Sequence, residues 1–567
     1  MTHLTPPTHR PRAADRRFPW RLLALPISLL VAVIPAGASK VRLEPRQIEI
    51  PGAPAAIVPT DLNGDGVRDL AILVAATRWD SLSVSETVEM DEIEGLMEVM
   101  TVVPALVERR ELWFFLGRED GSYATGADPL SLPPSVLSLA AGPPGAPLVA
   151  LTDAGLEAVR LSPDGLTFEP LVDDPPVLAG TDAFLPDLDL LHDLDGDDRL
   201  DLIMPAPKAL AVHLSNDEGS FRPPEGASAA HRVPLPPGDS TTTAAALTRR
   251  YPLPRVGDLD GDGAPDLTLL DGQDRWRRLH VARNAGEGRF SSLFGPFEDP
   301  PRDGDDSSGG DRPETVYFGD LDGDGRAEWV TQEDLSDDDA GMRKEMKQAK
   351  KPPYRLRFHR SGDGFARLSE PYMELTIEGY AFGAGGNDEE GISLPGGFRD
   401  LDGDGRLDLV TLTVDFSMLQ MVRILTTRSL SVGLDFHLWC QGDNGVFRKV
   451  DGLDLSGKFK LDLDDLRLGR LSQFAGDFNG DGRADFVQMG RGRNVTIHFG
   501  RQGCRYPAKP DVTLRLAEEP KNLRLVQVMD LDGDDPSDLV VIQPLKAREA
   551  GVTPPVRLDL YRARVEP

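Results

Sequence analysis

Cysteine is scarce: the chain has two in 567 residues, too few for a disulfide-framework domain or a four-cysteine zinc site. Positive charge is in short supply as well. Lys and Arg number 62 against 93 Asp and Glu, a net charge of −31, which excludes nonspecific attraction to nucleic acid or an anionic membrane surface. Beyond the first forty residues no run is long and apolar enough to span a bilayer. No nucleophile elbow, HExxH helix or phosphate loop occurs. What the chain has in quantity is turn-forming residues. Gly 57 and Pro 48 make nearly a fifth of it, which argues against long helices and for many tight turns. Hydrophobic content of 40% is ample for a sizeable core.

The N-terminus reads as an address. Arg10, Arg12, Arg16, Arg17 and Arg21 precede an apolar stretch from Leu22 to Ala36, which ends on Ala36-Gly37-Ala38. This order of charged region, short apolar region and small residues is that of a secretory signal. The stretch is broken by Pro26 and falls short of the roughly 18 apolar residues a spanning helix needs. Residues 1–38 are therefore expected to be a signal peptide, with an uncleaved anchor as the alternative. The mature chain is expected to begin near Ser39 and to reside in the periplasm or outside the cell, with no membrane span of its own.

The pattern D-x-[DN]-G-D-[GD]-x-x-[DE] occurs seven times, starting at Asp61, Asp193, Asp258, Asp320, Asp400, Asp477 and Asp530. The steps run from 53 to 80 residues except the first, 132, about two ordinary steps. That gap hides an eighth unit without carboxylates, at Ala140-Ala141-Gly142-Pro143-Pro144-Gly145 and the apolar run Leu148 to Leu151. Each loop is followed by a β-type run such as Asp408-Leu409-Val410-Thr411-Leu412, and later by a second one such as Val495-Thr496-Ile497-His498-Phe499. Several units then turn on a glycine and end on an aromatic, as in Gly288-Arg289-Phe290 and Gly445-Val446-Phe447. Strand runs bounded by Gly, Asp and Asn read as antiparallel meanders. A repeat of this length with about four strands is a propeller blade. The expected fold is an all-β propeller of eight four-stranded antiparallel blades, or seven if the loop-poor unit is an insertion. The last unit runs out before an outer strand, and ahead of the first loop lies an unpaired strand run, Lys40 to Glu44, with Gln47 to Ile50 after it. This segment is expected to complete the last blade and close the ring, hiding an edge.

Oxygen donors at positions 1, 3, 5 and 9 of a nine-residue loop can curl into a cage. These positions are Asp61, Asn63, Asp65 and Asp69; Asp193, Asp195, Asp197 and Asp201; Asp258, Asp260, Asp262 and Asp266. In the later units they are Asp320, Asp322, Asp324 and Glu328; Asp400, Asp402, Asp404 and Asp408. The last two sets are Asp477, Asn479, Asp481 and Asp485, and Asp530, Asp532, Asp534 and Asp538. Hard oxygen ligands without His or Cys select Ca²⁺ over transition metals, and Mg²⁺ suits them less because it demands octahedral geometry and keeps its water. An EF-hand begins similarly but needs a Glu at position 12 and flanking helices. Here position 12 is Ile72, Met204, Leu269, Thr331, Thr411, Gln488 and Val541. That reading fails.

The loops Asp258 to Asp266 and Asp400 to Asp408 resemble those of FG-GAP/VCBS repeats, the propeller repeats of integrin α-chains and many secreted bacterial proteins. The resemblance covers about residues 40–565. It implies that each loop joins the first two strands of a blade and binds Ca²⁺, up to seven ions in structural roles. Asp198 and Asp535 replace the position-six glycine and Glu328 the last Asp, so weaker or altered sites are expected there.

Insertions are expected at about 77–110, 333–353 and 415–434, the second with a basic helix over Met342 to Lys351 and the third holding Met418 to Leu425. Insertions in a propeller commonly carry binding surface. His213, His280, His359, His437 and His498 recur at similar places in different units and are not expected to converge. Cys440 and Cys504 fall in adjacent units as a possible disulfide. The functional expectation is a binding or scaffold module, a monomer with a protein or carbohydrate partner and no nucleic acid. A polysaccharide lyase or glycosidase working from the central channel is the alternative, and a structural envelope protein the third.

Overall fold

The computed structural model describes residues 40–566, apart from 78–95, 176–189, 298–313, 337–346, 382–396, 416–428 and shorter connecting stretches. The expected signal segment lies outside the described residues. The chain is nearly all β, eight antiparallel blades in a ring, a β-propeller.

Blade one shows the scheme. Its strands are Pro54–Thr60, Asp69–Thr77, Val107–Gly117 and Tyr123–Thr125, paired in that order, and the first acidic loop joins the first two. The second strand is covered on both faces, with Leu70, Ala71, Ile72 and Leu73 all fully buried. A strand wrapped this way reads as an unbroken apolar run. The loop-poor unit is a full blade, Val136–Ala141, Leu148–Thr152, Leu156–Ser162 and Gly165–Val172. Its Leu137, Val149, Leu151 and Leu156 share one core cluster with Leu202 and Met204 of blade three. Eight is therefore the count, and the seven-blade alternative is excluded.

The ring closes as the unpaired N-terminal run required. Lys40–Ile50 lies antiparallel to Val556–Glu566 in continuous register, from Lys40 opposite Glu566 to Ile50 opposite Val556. It is the outer strand of blade eight, in which Val556–Glu566 in turn pairs with Asp538–Pro544, and that strand with Val526–Met529. Ile48 and Ile50 are buried, so the strand is held by packing as well as by its ladder.

Aromatics at the hairpin turns fill the seams between blades. Phe447 of blade six is buried and stacks on Phe358 of blade five at 5.2 Å. Phe290 of blade four lies 6.3 Å from His231 of blade three. Phe436 of blade six meets Phe474 and Phe486 of blade seven edge-on at 5.8 and 5.5 Å, an arrangement aromatic quadrupoles favour.

The first insertion contributes a strand, Leu96–Val102, to a three-stranded sheet with Ala246–Pro252 and Asp239–Thr242, which precede blade four. In the second, residues 347–350 are helical, and Lys350 reaches Asp415 of blade six at 3.1 Å. The third is shorter than expected, because the strand Ser429–Gln441 starts early and already pairs Leu434 with Val414. Met418 to Leu425 lies outside the described residues.

Candidate metal centres

All seven acidic loops join the first and second strands of their blades, and one hydrogen-bond scheme recurs in them. The position-one Asp accepts two N–H groups of its own loop. Asp61 takes Gly64 and Gly66 at 2.7 and 2.8 Å. Asp320 takes Gly323 and Gly325 at 2.8 and 2.9 Å, and Asp400 takes Gly403 and Gly405 at the same distances. In six of the loops the position-five carboxylate accepts the N–H of position seven, as Asp404 does from Arg406 at 3.0 Å; the last loop has Pro536 there, which has no N–H. These bonds require a left-handed residue at position six. Gly66 has φ +83°, while Asp198 and Asp535 adopt +64° and +77° in its place. Asp tolerates that region better than most residues, so the two sequence departures leave the loop path intact.

Position nine has a second task that the spacing did not reveal. Asp69, Asp201, Asp266, Glu328, Asp485 and Asp538 are fully buried and Asp408 is 1% exposed. One oxygen accepts the N–H of position two: Leu62 at 3.0 Å, Leu401 at 3.0 Å, Phe478 at 2.7 Å, Leu531 at 2.9 Å. The other accepts an N–H from the third strand or from the second residue beyond it: Gly117 at 2.8 Å, Ser215 at 2.7 Å, Asn284 at 2.7 Å, Gln441 at 2.8 Å, Gly500 at 2.9 Å, Ala563 at 2.7 Å. The carboxylate staples the loop to the blade. In blade five the longer Glu328 reaches Arg360 instead, and Arg360 also contacts Asp322 at 2.7 Å. Burial pushes Asp201 and Asp266 up to about 6, and Asp408, Asp485 and Asp538 to about 7, against the pull of their two backbone donors. Burial likewise takes Glu328 to about 7.

Position three carries the clearest sign of a ligand. In Asp195, Asp260, Asp322, Asp402 and Asp532 the Oδ1 atom is buried without a hydrogen-bond partner. An unpaired buried carboxylate oxygen is costly, and a cation at the loop centre would satisfy it. Ligand oxygens of Asp193, Asp195 and Asp197 fall within 4.8 Å of one another, as do those of Asp258, Asp260 and Asp262. The same holds for Asp400, Asp402 and Asp404, and for Asp320, Asp322 and Glu328. The residues present fit a hard divalent cation. In the loops of blades one and seven Asn63 and Asn479 turn an amide toward the position-five carboxylate instead, at 3.0 and 3.2 Å. Arginines contact other cage oxygens: Arg283 meets Asp260 and Asp262, and Arg564 meets Asp532 and Asp534.

The five histidines sit on the third strands of blades three to seven, and no two share a blade. Burial lowers His213, His359 and His437 below the ordinary imidazole range. His359 bonds the Leu368 carbonyl at 2.9 Å and His498 the Pro507 carbonyl at 2.7 Å, which marks these two as core groups. Cys440 of blade six and Cys504 of blade seven form a disulfide with their Cα atoms 5.7 Å apart.

No curated protein matches this chain. Among solved structures, a protein from Lactobacillus plantarum aligns at 11% identity and TM-score 0.25, over 74% of this chain and 96% of its own. A polysaccharide lyase, Uly1, aligns at 11% and 0.28, over 92% of this chain and 99% of its own. A family 117 glycoside hydrolase from Zobellia galactanivorans aligns at 10% and 0.20, over 54% and 82%. The FG-GAP-like repeat family matches residues 258–331, from the first aspartate of the loop of blade four into the second strand of blade five. Residues 258–331 are thus similar to an FG-GAP-like repeat, and they lie within an eight-bladed β-propeller.

Proposed function

We propose that this chain is an exported, calcium-stabilised propeller that works as a binding or scaffold module for a protein or carbohydrate partner. The observation that carries the calcium reading is the row of orphaned position-three oxygens, repeated in five loops of one design. Their equivalence suits structural ions rather than a catalytic one. Calcium fits an all-oxygen cage that closes around backbone N–H groups better than magnesium, which holds its own water. A cation that binds only the folded ring stabilises it by about 2.7 kcal/mol per site at a hundredfold excess over Kd. The sheet that Leu96–Val102 forms with Ala246–Pro252 supports the binding reading, because it adds surface outside the blade ladders and inserted segments on a rigid scaffold commonly carry recognition.

The test is thermal melting in EDTA, then after calcium readdition, with the bound ions counted by mass spectrometry. The midpoint should fall on chelation and recover with calcium, more completely than with magnesium. An unchanged midpoint would overturn the stabilising role. A panel of glycans and proteins tests the partner, and turnover of a polysaccharide in the same panel would replace the binding module with a lyase or glycosidase.

A further inference from the structure

Asp402 stands in two clusters at once. Its carboxylate groups with Asp400 and Asp404 in the acidic loop of blade six, and also with the sulfurs of Cys440 and Cys504, ligand atoms in each set lying within 4.8 Å of one another. Asp402 is 8% exposed and its Oδ1 has no hydrogen-bond partner. Its Oδ2 accepts the Gly503 N–H at 2.7 Å and lies 3.8 Å from Cys440 Sγ. Gly503 and Cys504 belong to a tight turn of blade seven, closed by reciprocal bonds between Arg501 and Arg505 at 2.9 and 3.2 Å. Backbone structure on both sides of the seam therefore fixes all three groups.

We propose that Asp402, Cys440 and Cys504 form a redox-gated site for a thiophilic divalent cation such as Zn²⁺, closed while the disulfide is intact and opened by a dithiol. The dithiol delivers two electrons and two protons to the sulfur–sulfur bond and leaves as its own disulfide. Cys440 and Cys504 become thiols, and cation binding then releases both protons. Tetrahedral zinc with Zn–S of about 2.3 Å and Zn–O of about 2.1 Å sets its sulfur and oxygen ligands about 3.6 Å apart. The observed sulfur–oxygen separation of 3.8 Å is already close to this. Water completes the fourth position, and the Gly503 N–H orients the carboxylate from behind, as outer-shell donors do at zinc sites. Two thiolates turn the selectivity of the seam from hard toward soft cations. The site does not depend on calcium in the loop, although a cation held by the sulfurs draws Asp402 away from it.

The full chain is reduced with dithiothreitol, desalted without oxygen and titrated with Cd²⁺, following the thiolate-to-cadmium charge-transfer absorption. Reduced protein should saturate at one equivalent and oxidised protein should give no band. Cys440→Ser, left with a single thiolate, should lose at least half of the band and the tight saturation, and Asp402→Asn should weaken binding about tenfold or more. Far-ultraviolet circular dichroism follows the fold in the same samples. No band in the reduced protein, equal affinity in Asp402→Asn, or loss of the β signal on reduction would each overturn the proposal.

Discussion

Replacing Asp485 by Ala separates the stapling role of position nine from cation binding. Asp485 is fully buried and accepts Phe478 N–H at 2.7 Å and Gly500 N–H at 2.9 Å. Truncation leaves both donors without a partner inside blade seven. Each buried unpaired N–H costs about 1–3 kcal/mol, so the loss is about 2–6 kcal/mol. The comparison is Asp481→Ala, which removes a position-five carboxylate bonded to Arg483 N–H at 3.2 Å and paired with its partly exposed guanidinium. An exposed pair of that kind contributes about 0–1 kcal/mol. Hydrogen exchange at Phe478 and Gly500, measured in chelator, reads the difference. In Asp485→Ala exchange at these amides should accelerate at least about thirtyfold, since every 1.4 kcal/mol is tenfold. In Asp481→Ala it should stay within about fivefold of the parent. If Asp485→Ala in chelator exchanges like the parent, the carboxylate is a cation ligand alone and the stapling argument fails.

Acidity supplies a second prediction. Burial raises Asp408, Asp485 and Asp538 to about 7, well above the ordinary carboxylate range, so the folded metal-free ring holds those protons more tightly than the unfolded chain. The stability they contribute is fully present below about pH 4 and is lost as pH rises through about 7. In EDTA the melting midpoint should therefore be higher at pH 6 than at pH 8, and millimolar calcium should remove or reverse that slope. A midpoint that rises with pH in chelator would contradict it. Deleting residues 40–50 removes the outer strand of blade eight and its buried Ile48 and Ile50, each worth about 1.5–3 kcal/mol. It also bares the edge of Val556–Glu566. The truncated chain should aggregate on concentration in light scattering, and a well-behaved monomer with the parent's midpoint would refute the closure.

The sequence made the blade count and ring closure legible because both are one-dimensional. Seven loops in phase with strand runs mark their own units, and Lys40–Ile50 is the one run left over where an outer strand is missing. The path of each loop was legible too, since alternating carboxylates and glycines dictate it. What the spacing concealed depends on neighbours in space. Nothing in Asp485 announces that its second acceptor bond goes to Gly500, fifteen residues on across the hairpin. A weak signal existed, since position nine opens the second strand and is followed at once by apolar residues. Glu328 read as a substitution within the cage, whereas the structure pairs its extra reach with Arg360. The meeting of Asp402 with the two cysteines, and of Leu96–Val102 with Ala246–Pro252, joins different blades. No local pattern encodes either.

Closure by the first and last strands also sets a timetable. A ribosome adding roughly 5–20 residues per second needs roughly half a minute or more to travel from residue 50 to residue 556. For all that interval the leading strand has no ladder partner, because Val556–Glu566, which carries its ladder, is not yet made. Its alternation of Arg42, Glu44, Arg46 and Glu49 with apolar neighbours suits that wait, since charges along a bare strand discourage premature pairing with other chains. The ladder of Lys40–Ile50 with Val556–Glu566 thus cannot form before the intervening blades have been synthesised, and it completes the ring.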